Sequence, residues 1–119
     1  MAIIRQATRE DIPCILELYQ ELTISYSQIE ASRHPSKQDY EQTLDRINAI
    51  PGYQLLVAEE EGEVVGLMEF LIIPNISHHN SPWALIEGLV VNSQHRQRGL
   101  GKMLMQYALQ KARDAAAIR

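Results

Sequence analysis

Ile86-Glu87-Gly88-Leu89-Val90-Val91 leads, through Asn92-Ser93-Gln94-His95, into Arg96-Gln97-Arg98-Gly99-Leu100-Gly101-Lys102. Extended back to Trp83, the first segment is a short apolar run, which predicts a buried strand. Beyond the second, Leu100, Met103, Leu104, Tyr107, Ala108 and Lys111 recur at helical spacing. A strand feeding a Gly-rich turn that opens a helix is a way to hold phosphate. The first helical turn leaves its N–H groups without intrahelical partners, and the helix dipole favours an anion there. Gly99 and Gly101 lack a Cβ, so a ligand can approach the backbone closely. Arg96, Arg98 and Lys102 crowd the same turn of a chain whose net charge is −4. Such a cluster can simply be a solvated basic turn. The two glycines and the strand-to-helix context favour a small anionic ligand instead.

Outward from this turn, the rest of the chain reads as one domain. Its 119 residues suit a single core, and 45% hydrophobic with 22% charged residues is the composition of an ordinary globular protein. The apolar stretches are far shorter than a membrane span and the start lacks a signal-peptide layout. A cytoplasmic location with no membrane partner is therefore expected. The acidic balance argues against nucleic acid as a partner. Cys14, the only cysteine, excludes an internal disulfide and a cysteine-only metal cluster. His78 and His79 lack metal-ligand spacing, so no metal is expected.

Ile3 and Ile4 suggest a short first strand, and Thr8-Arg9-Glu10-Asp11 reads as a capping box with Asp in the usual Glu position. Ile12, Ile15, Leu16, Tyr19 and Leu22 follow the spacing of an amphipathic helix, on which Cys14 is expected to pack. Ser25 to Pro35 is polar and irregular, a loop or a broken helix. Ser36-Lys37-Gln38-Asp39 caps a second helix with Tyr40, Leu44 and Ile47 on one face, stopped by Pro51-Gly52. From Tyr53 the period changes to that of strands: Leu55 to Ala58, a turn at Glu61-Gly62-Glu63, then Val64 to Ile73. The expected fold is α/β (α+β), with a mainly antiparallel central sheet flanked by helices in the order β-α-α-β-β-β-α.

Two familiar phosphate binders fail on this turn. A nucleotide P-loop requires Gly-x-x-x-x-Gly-Lys-Ser/Thr, whereas Met103 follows Lys102 and Arg96 stands at the first glycine. A dinucleotide fold requires a third glycine where Leu104 stands, and an acid about twenty residues on, past the last residue. Arg96-x-x-Gly99-x-Gly101 instead resembles the Arg/Gln-x-x-Gly-x-Gly/Ala signature of the GNAT superfamily of acyl-CoA-dependent N-acetyltransferases. The resemblance extends to Ile4-Arg5-Gln6-Ala7-Thr8 with Asp11-Ile12-Pro13, to Leu55-Leu56-Val57-Ala58-Glu59 with Gly62-Glu63-Val64-Val65-Gly66, and to Ile86 through Val91. It thus runs through nearly the whole chain in order.

The resemblance implies a function. Acetyl-CoA would be the co-substrate, with the backbones of Leu89, Val90 and Val91 receiving pantetheine and polarising the thioester carbonyl. The amides from Gln97 through Gly99 and Leu100 to Gly101 and Lys102 would wrap the pyrophosphate. Arg98 and Lys102 would add charge, and Arg96 would act through its backbone and the shape of the loop. The amine must lose a proton before it attacks, and Glu87 is the candidate base. Strand alternation predicts that Glu87, Leu89 and Val91 share a face. A carboxylate there can alternatively be satisfied at a sheet edge or by a hydroxyl. Gly88 replaces the second acid or Asn that many relatives place after the first.

The expected activity is acetyl transfer to a primary amine of a small molecule. The alternatives are a non-catalytic acyl-CoA-binding or regulatory half-domain and a protein or peptide N-acetyltransferase. Tyr26, Tyr40 and Trp83 are candidate acceptor contacts, and His78 and His79 could line an entrance. The family's fifth strand and its following helix, which usually carries the tyrosine general acid, have no counterpart before Arg119. Residues 1–119 are therefore expected to form a single N-acetyltransferase domain, truncated after the third helix. A homodimer would cover the exposed edge of the fourth strand.

Overall fold

The computed structural model describes residues 2–22 and 25–115. In chain order these form β1 (Ala2–Gln6), α1 (Ile12–Tyr19), α2 (Gln28–Ala31), α3 (Lys37–Ala49), β2 (Tyr53–Glu60), β3 (Glu63–Ile73), β4 (Trp83–Val91) and α4 (Leu100–Asp114). Short 3-10 turns at Arg9–Asp11 and Ser93–His95 lead into α1 and towards α4. The expected order of strands and helices holds, with α2 added inside the polar stretch from Ser25 to Pro35. Ser27 and Glu30 cap it reciprocally, at 3.0 and 3.1 Å. None of its residues is buried, so local capping rather than packing defines it.

The strands form one sheet in the order β1-β2-β3-β4, antiparallel throughout. Glu61 and Gly62, both with positive φ, make the two-residue turn joining β2 to β3. Period-two alternation then sorts the apolar residues. Leu55 and Val57 join Ile12, Ile15, Leu18 and Leu44 under α1 and α3, whereas Leu56 and Ala58 join Leu104, Ala108 and Ala112 under α4. The continuous run in β2 is explained because both of its faces are covered. Cys14 does not pack as expected; it lies off the apolar stripe of α1 and is exposed. Tyr107 is half-buried against the α4-side core. No helix among the described residues is long and apolar enough to cross a membrane.

The start of α1 is tied to the sheet by charge. Asp11 accepts from the Thr8 N–H at 2.7 Å, as the capping pattern predicts, and its two oxygens accept from the Arg5 guanidinium at 2.8 and 2.9 Å. Arg5 also reaches Glu59 on β2 at 2.9 Å. Bidentate, charge-assisted contacts of this kind are the strong ones. The Arg5 guanidinium accordingly holds the buried Asp11 carboxyl below the usual aspartate range. One residue of β1 thereby fixes where α1 leaves the sheet.

Candidate active site

The loop between β4 and α4 exposes backbone donors. Gly99 caps α4 with φ of +80°, a left-handed conformation that suits a residue without Cβ. The Met103 N–H closes the first helical turn on the Gly99 carbonyl at 2.9 Å. Among the described residues, the N–H groups of Gln97, Arg98, Gly99, Leu100, Gly101 and Lys102 have no protein acceptor. Leu100, the first residue of the helix, is buried. A Cβ on Gly99 would meet nothing within 4 Å, and one on Gly101 would only graze Val91 Cγ2 at 4.0 Å. Protein packing therefore does not account for Gly101. The space it leaves belongs to an open cavity of about 310 Å³ that the loop itself lines.

The basic side chains of the loop divide into two kinds. Arg96 turns inward: its Nε donates to the Val91 carbonyl at 3.1 Å and its Nη2 to Glu21 Oε1 at 3.2 Å. The Ser93 N–H donates to the same Glu21 oxygen at 2.9 Å. Arg96 is thus a strut between the loop, β4 and the segment after α1, which fits a shaping role. Glu21, which no motif marks, is its counterpart. Arg98 and Lys102 are exposed and, among the described residues, have no ion-pair partner. Their charge is available to a ligand.

β4 carries a bulge beside this loop. Leu67 pairs with Val90 and Glu69 with Glu87, so Gly88 and Leu89 together stand opposite Met68. Gly88 adopts φ of +60°, as a bulged glycine can. The extra residue reverses the alternation beyond it. Glu87 and Val90 face α1 and α3, while Leu89 and Val91 face α4. The expectation that Glu87, Leu89 and Val91 share a face is corrected by this bulge. Among the described residues the outer side of β4 has no strand neighbour, so its backbone groups form a free edge.

Glu87 opens onto a cavity of about 740 Å³ between the sheet and helices α1 and α3. It is exposed and makes no side-chain hydrogen bond among the described residues. Its cross-strand partner Glu69, half-buried, lines the same cavity and accepts from Tyr53 Oη at 3.0 Å. Burial, then the nearby Glu69 charge, pushes the Tyr19 phenol well above the usual tyrosine range. The same causes push Tyr53 up to about 12. The Tyr19 ring fills the space beside Gly88, where a Cβ would lie 3.2 Å from Tyr19 Cε1. Tyr26 and Tyr40 line the cavity. Trp83, His78 and His79 are not among its described lining residues.

Residues 15–119 match the sequence model of the acetyltransferase (GNAT) family. A candidate acetyltransferase from Agrobacterium tumefaciens str. C58 is 31% identical with a TM-score of 0.77, the match covering 95% of this chain and 74% of that one. Glucosamine-6-phosphate N-acetyltransferase from Arabidopsis thaliana superposes with a TM-score of 0.82 at 20% identity, covering 98% and 77%. Ribosomal-protein-alanine N-acetyltransferase from Brucella melitensis biovar Abortus 2308 gives 0.74 at 18%, covering 98% and 74%. At those identities the last two show a shared fold alone.

Proposed function

Because this chain belongs to the acetyltransferase (GNAT) family, whose co-substrate is acetyl-CoA, we propose that it acetylates a primary amine of a small molecule by direct attack. The observation that carries this reading is the run of unpaired amides from Gln97 to Lys102 above an open, glycine-lined cavity next to the β4 bulge. Those residues fit a diphosphate: N–H groups without protein acceptors lie at a helix N-terminus whose residues line the cavity, and the exposed Arg98 and Lys102 supply cationic charge. The bulged backbone of Leu89, Val90 and Val91 receives the pantetheine arm along the free edge. When bound, acetyl-CoA supplies an acetyl thioester as the electrophile.

The chain's own residues do the rest. An alkylammonium, with pKa of about 10, is mostly protonated at neutral pH and must lose a proton to become a nucleophile. Glu87, whose oxygens have no protein donor among the described residues, takes that proton from the cavity side of β4. Amine nitrogen would then bond to the acetyl carbon, the carbon–sulfur bond would break, and a proton from that nitrogen would pass to the departing thiolate, so that CoA leaves as its thiol. An N–H of the bulged strand polarises the carbonyl through a preorganised hydrogen bond.

The test is release of CoA thiol with a panel of small amines and, separately, peptides. Turnover on small amines supports the reading. Turnover on peptides alone would make the chain a peptide N-acetyltransferase, and tight acetyl-CoA binding without any turnover an acyl-CoA-binding module. We also propose that residues 1–119 act as one N-acetyltransferase domain and that a second copy pairs with the free β4 edge. Trp83 and Leu85, 57% and 41% exposed on that strand, support such a contact. A monomeric mass by light scattering at micromolar concentration would remove it.

A further inference from the structure

Glu69 has no part in the scheme so far, yet it lies opposite Glu87 and opens into the same cavity. Cross-strand partners in an antiparallel pair have Cβ atoms about 5 Å apart, and like charges placed there repel. Nothing in the cavity wall offsets that repulsion, since none of the described lining residues is Lys, Arg or His. Glu69 is nevertheless held in place: the Tyr53 hydroxyl donates to it at 3.0 Å, and the Tyr19 hydroxyl lies, like Glu69 Oε2, 3.7 Å from where a Gly88 Cβ would stand. The same Tyr19 ring occupies the room left by Gly88. A carboxylate thus reaches the place beside Glu87 from the neighbouring strand rather than from the next residue along β4.

The remainder of the cavity is of opposite character. Ile12, Ile15, Leu44, Ile47 and Leu55 form its inner wall, with the Tyr40 ring on α3. Two carboxylates at one end of an apolar, phenol-rimmed chamber complement a cation that carries an apolar body. A phosphorylated amine would find no cationic partner among the described lining residues.

We infer that Glu69 is a specificity-determining residue of the acceptor site, clasping with Glu87 the ammonium of a primary amine whose apolar body lies between α1, α3 and the sheet. This rests on the acetyltransferase reading above and names its acceptor class. The division of labour follows from the hydrogen bonds. Glu69, engaged by the Tyr53 phenol, orients the ammonium, and Glu87, without such a partner among the described residues, is free to take the proton.

The experiment has a catalytic and a binding arm. In the first, 2-phenylethylamine, glucosamine and glucosamine 6-phosphate are compared as acceptors for the unaltered chain and for Glu69→Gln. The expected result is at least about tenfold higher kcat/KM for 2-phenylethylamine, and in Glu69→Gln a KM for it raised about tenfold with kcat changed far less. Glu69→Asp should recover part of that KM, whereas a merely structural role would lower the melting temperature and leave the KM of the folded fraction alone. In the second arm, 2-phenylethylammonium binding is followed by NMR, with and without CoA. Binding that weakens in Glu69→Gln, in a chain that turns over no amine, would keep the ammonium site and remove the acetyltransferase reading. Turnover that prefers either amino sugar, an unchanged KM in Glu69→Gln, or no binding of the ammonium in either state would overturn the inference.

Discussion

The two sides of β4 are built from different materials. Towards α4, the loop from Asn92 to Lys102 offers main-chain N–H groups, with side chains such as Arg96 and Leu100 used to hold the backbone in shape. Towards α1 and α3, the cavity offers side chains, carboxylates from two strands and phenols from helices and strands, brought together from positions far apart in sequence. The first kind of site depends on short-range features: its glycines, its helix start and a few side chains close to them in sequence. The second depends on register, so a single bulge at Gly88 decides which residues belong to it. Cofactor recognition and acceptor recognition should therefore be separable by substitution.

The largest expected effect tests that separation from the acceptor side. Glu87→Gln removes the proton acceptor while keeping shape and polarity, so kcat should fall by about a thousandfold. The acetyl-CoA dissociation constant, read by calorimetry, should stay within about twofold of the unaltered value. An unchanged rate would return Glu87 to a structural role. A matching loss of cofactor affinity would show that the two sides of the strand are not independent.

Gly101→Glu makes the converse test. Because a Cβ at this position meets only Val91 Cγ2 at 4.0 Å, the fold should persist. The added carboxylate would project into the loop cavity and repel a diphosphate, weakening acetyl-CoA binding by about a hundredfold. Binding of 2-phenylethylammonium should be preserved in this variant. Retained cofactor affinity would refute the loop assignment.

The same contrast explains what could be read in advance. A site made of main chain is written into the sequence as spacing, because Gly99 and Gly101 are required at fixed offsets from the helix start. The strand and helix order was legible for a similar reason, since local periodicity and caps such as Thr8 with Asp11 are short-range. Glu87 stood out as a charge in an apolar strand. Glu69 carries that very signal between Met68 and Phe70, and applying the rule to both strands would have found it. Its pairing with Glu87, and the facing of Leu89 and Val91 away from the cavity, follow from a bulge that is set by tertiary contacts. Cys14 is exposed rather than packed because position 14 falls outside the stripe formed by Ile12, Ile15, Leu16 and Tyr19. There the periodicity held the answer.

The smallest expected effect concerns the wall that separates side-chain chemistry from solvent. Asp11 anchors α1 to β1 through Arg5, and α1 carries Tyr19 into the cavity. Because Arg5 holds the Asp11 carboxyl below its unfolded value, the ionised form is favoured in the folded protein. The sign follows: this contribution is fully present above the unfolded pKa of about 3.9 and disappears as pH falls through the lower folded value. Asp11→Asn should therefore lower stability at pH 7 by about 1 kcal/mol, measured by urea unfolding, and flatten the acid side of the stability profile. The KM for an apolar amine should rise slightly as α1 loosens, whereas acetyl-CoA affinity, which draws on the far side of β4, should not move. Equal changes in both would mean that α1 supports the loop, through Glu21 and Arg96, as strongly as it supports the cavity.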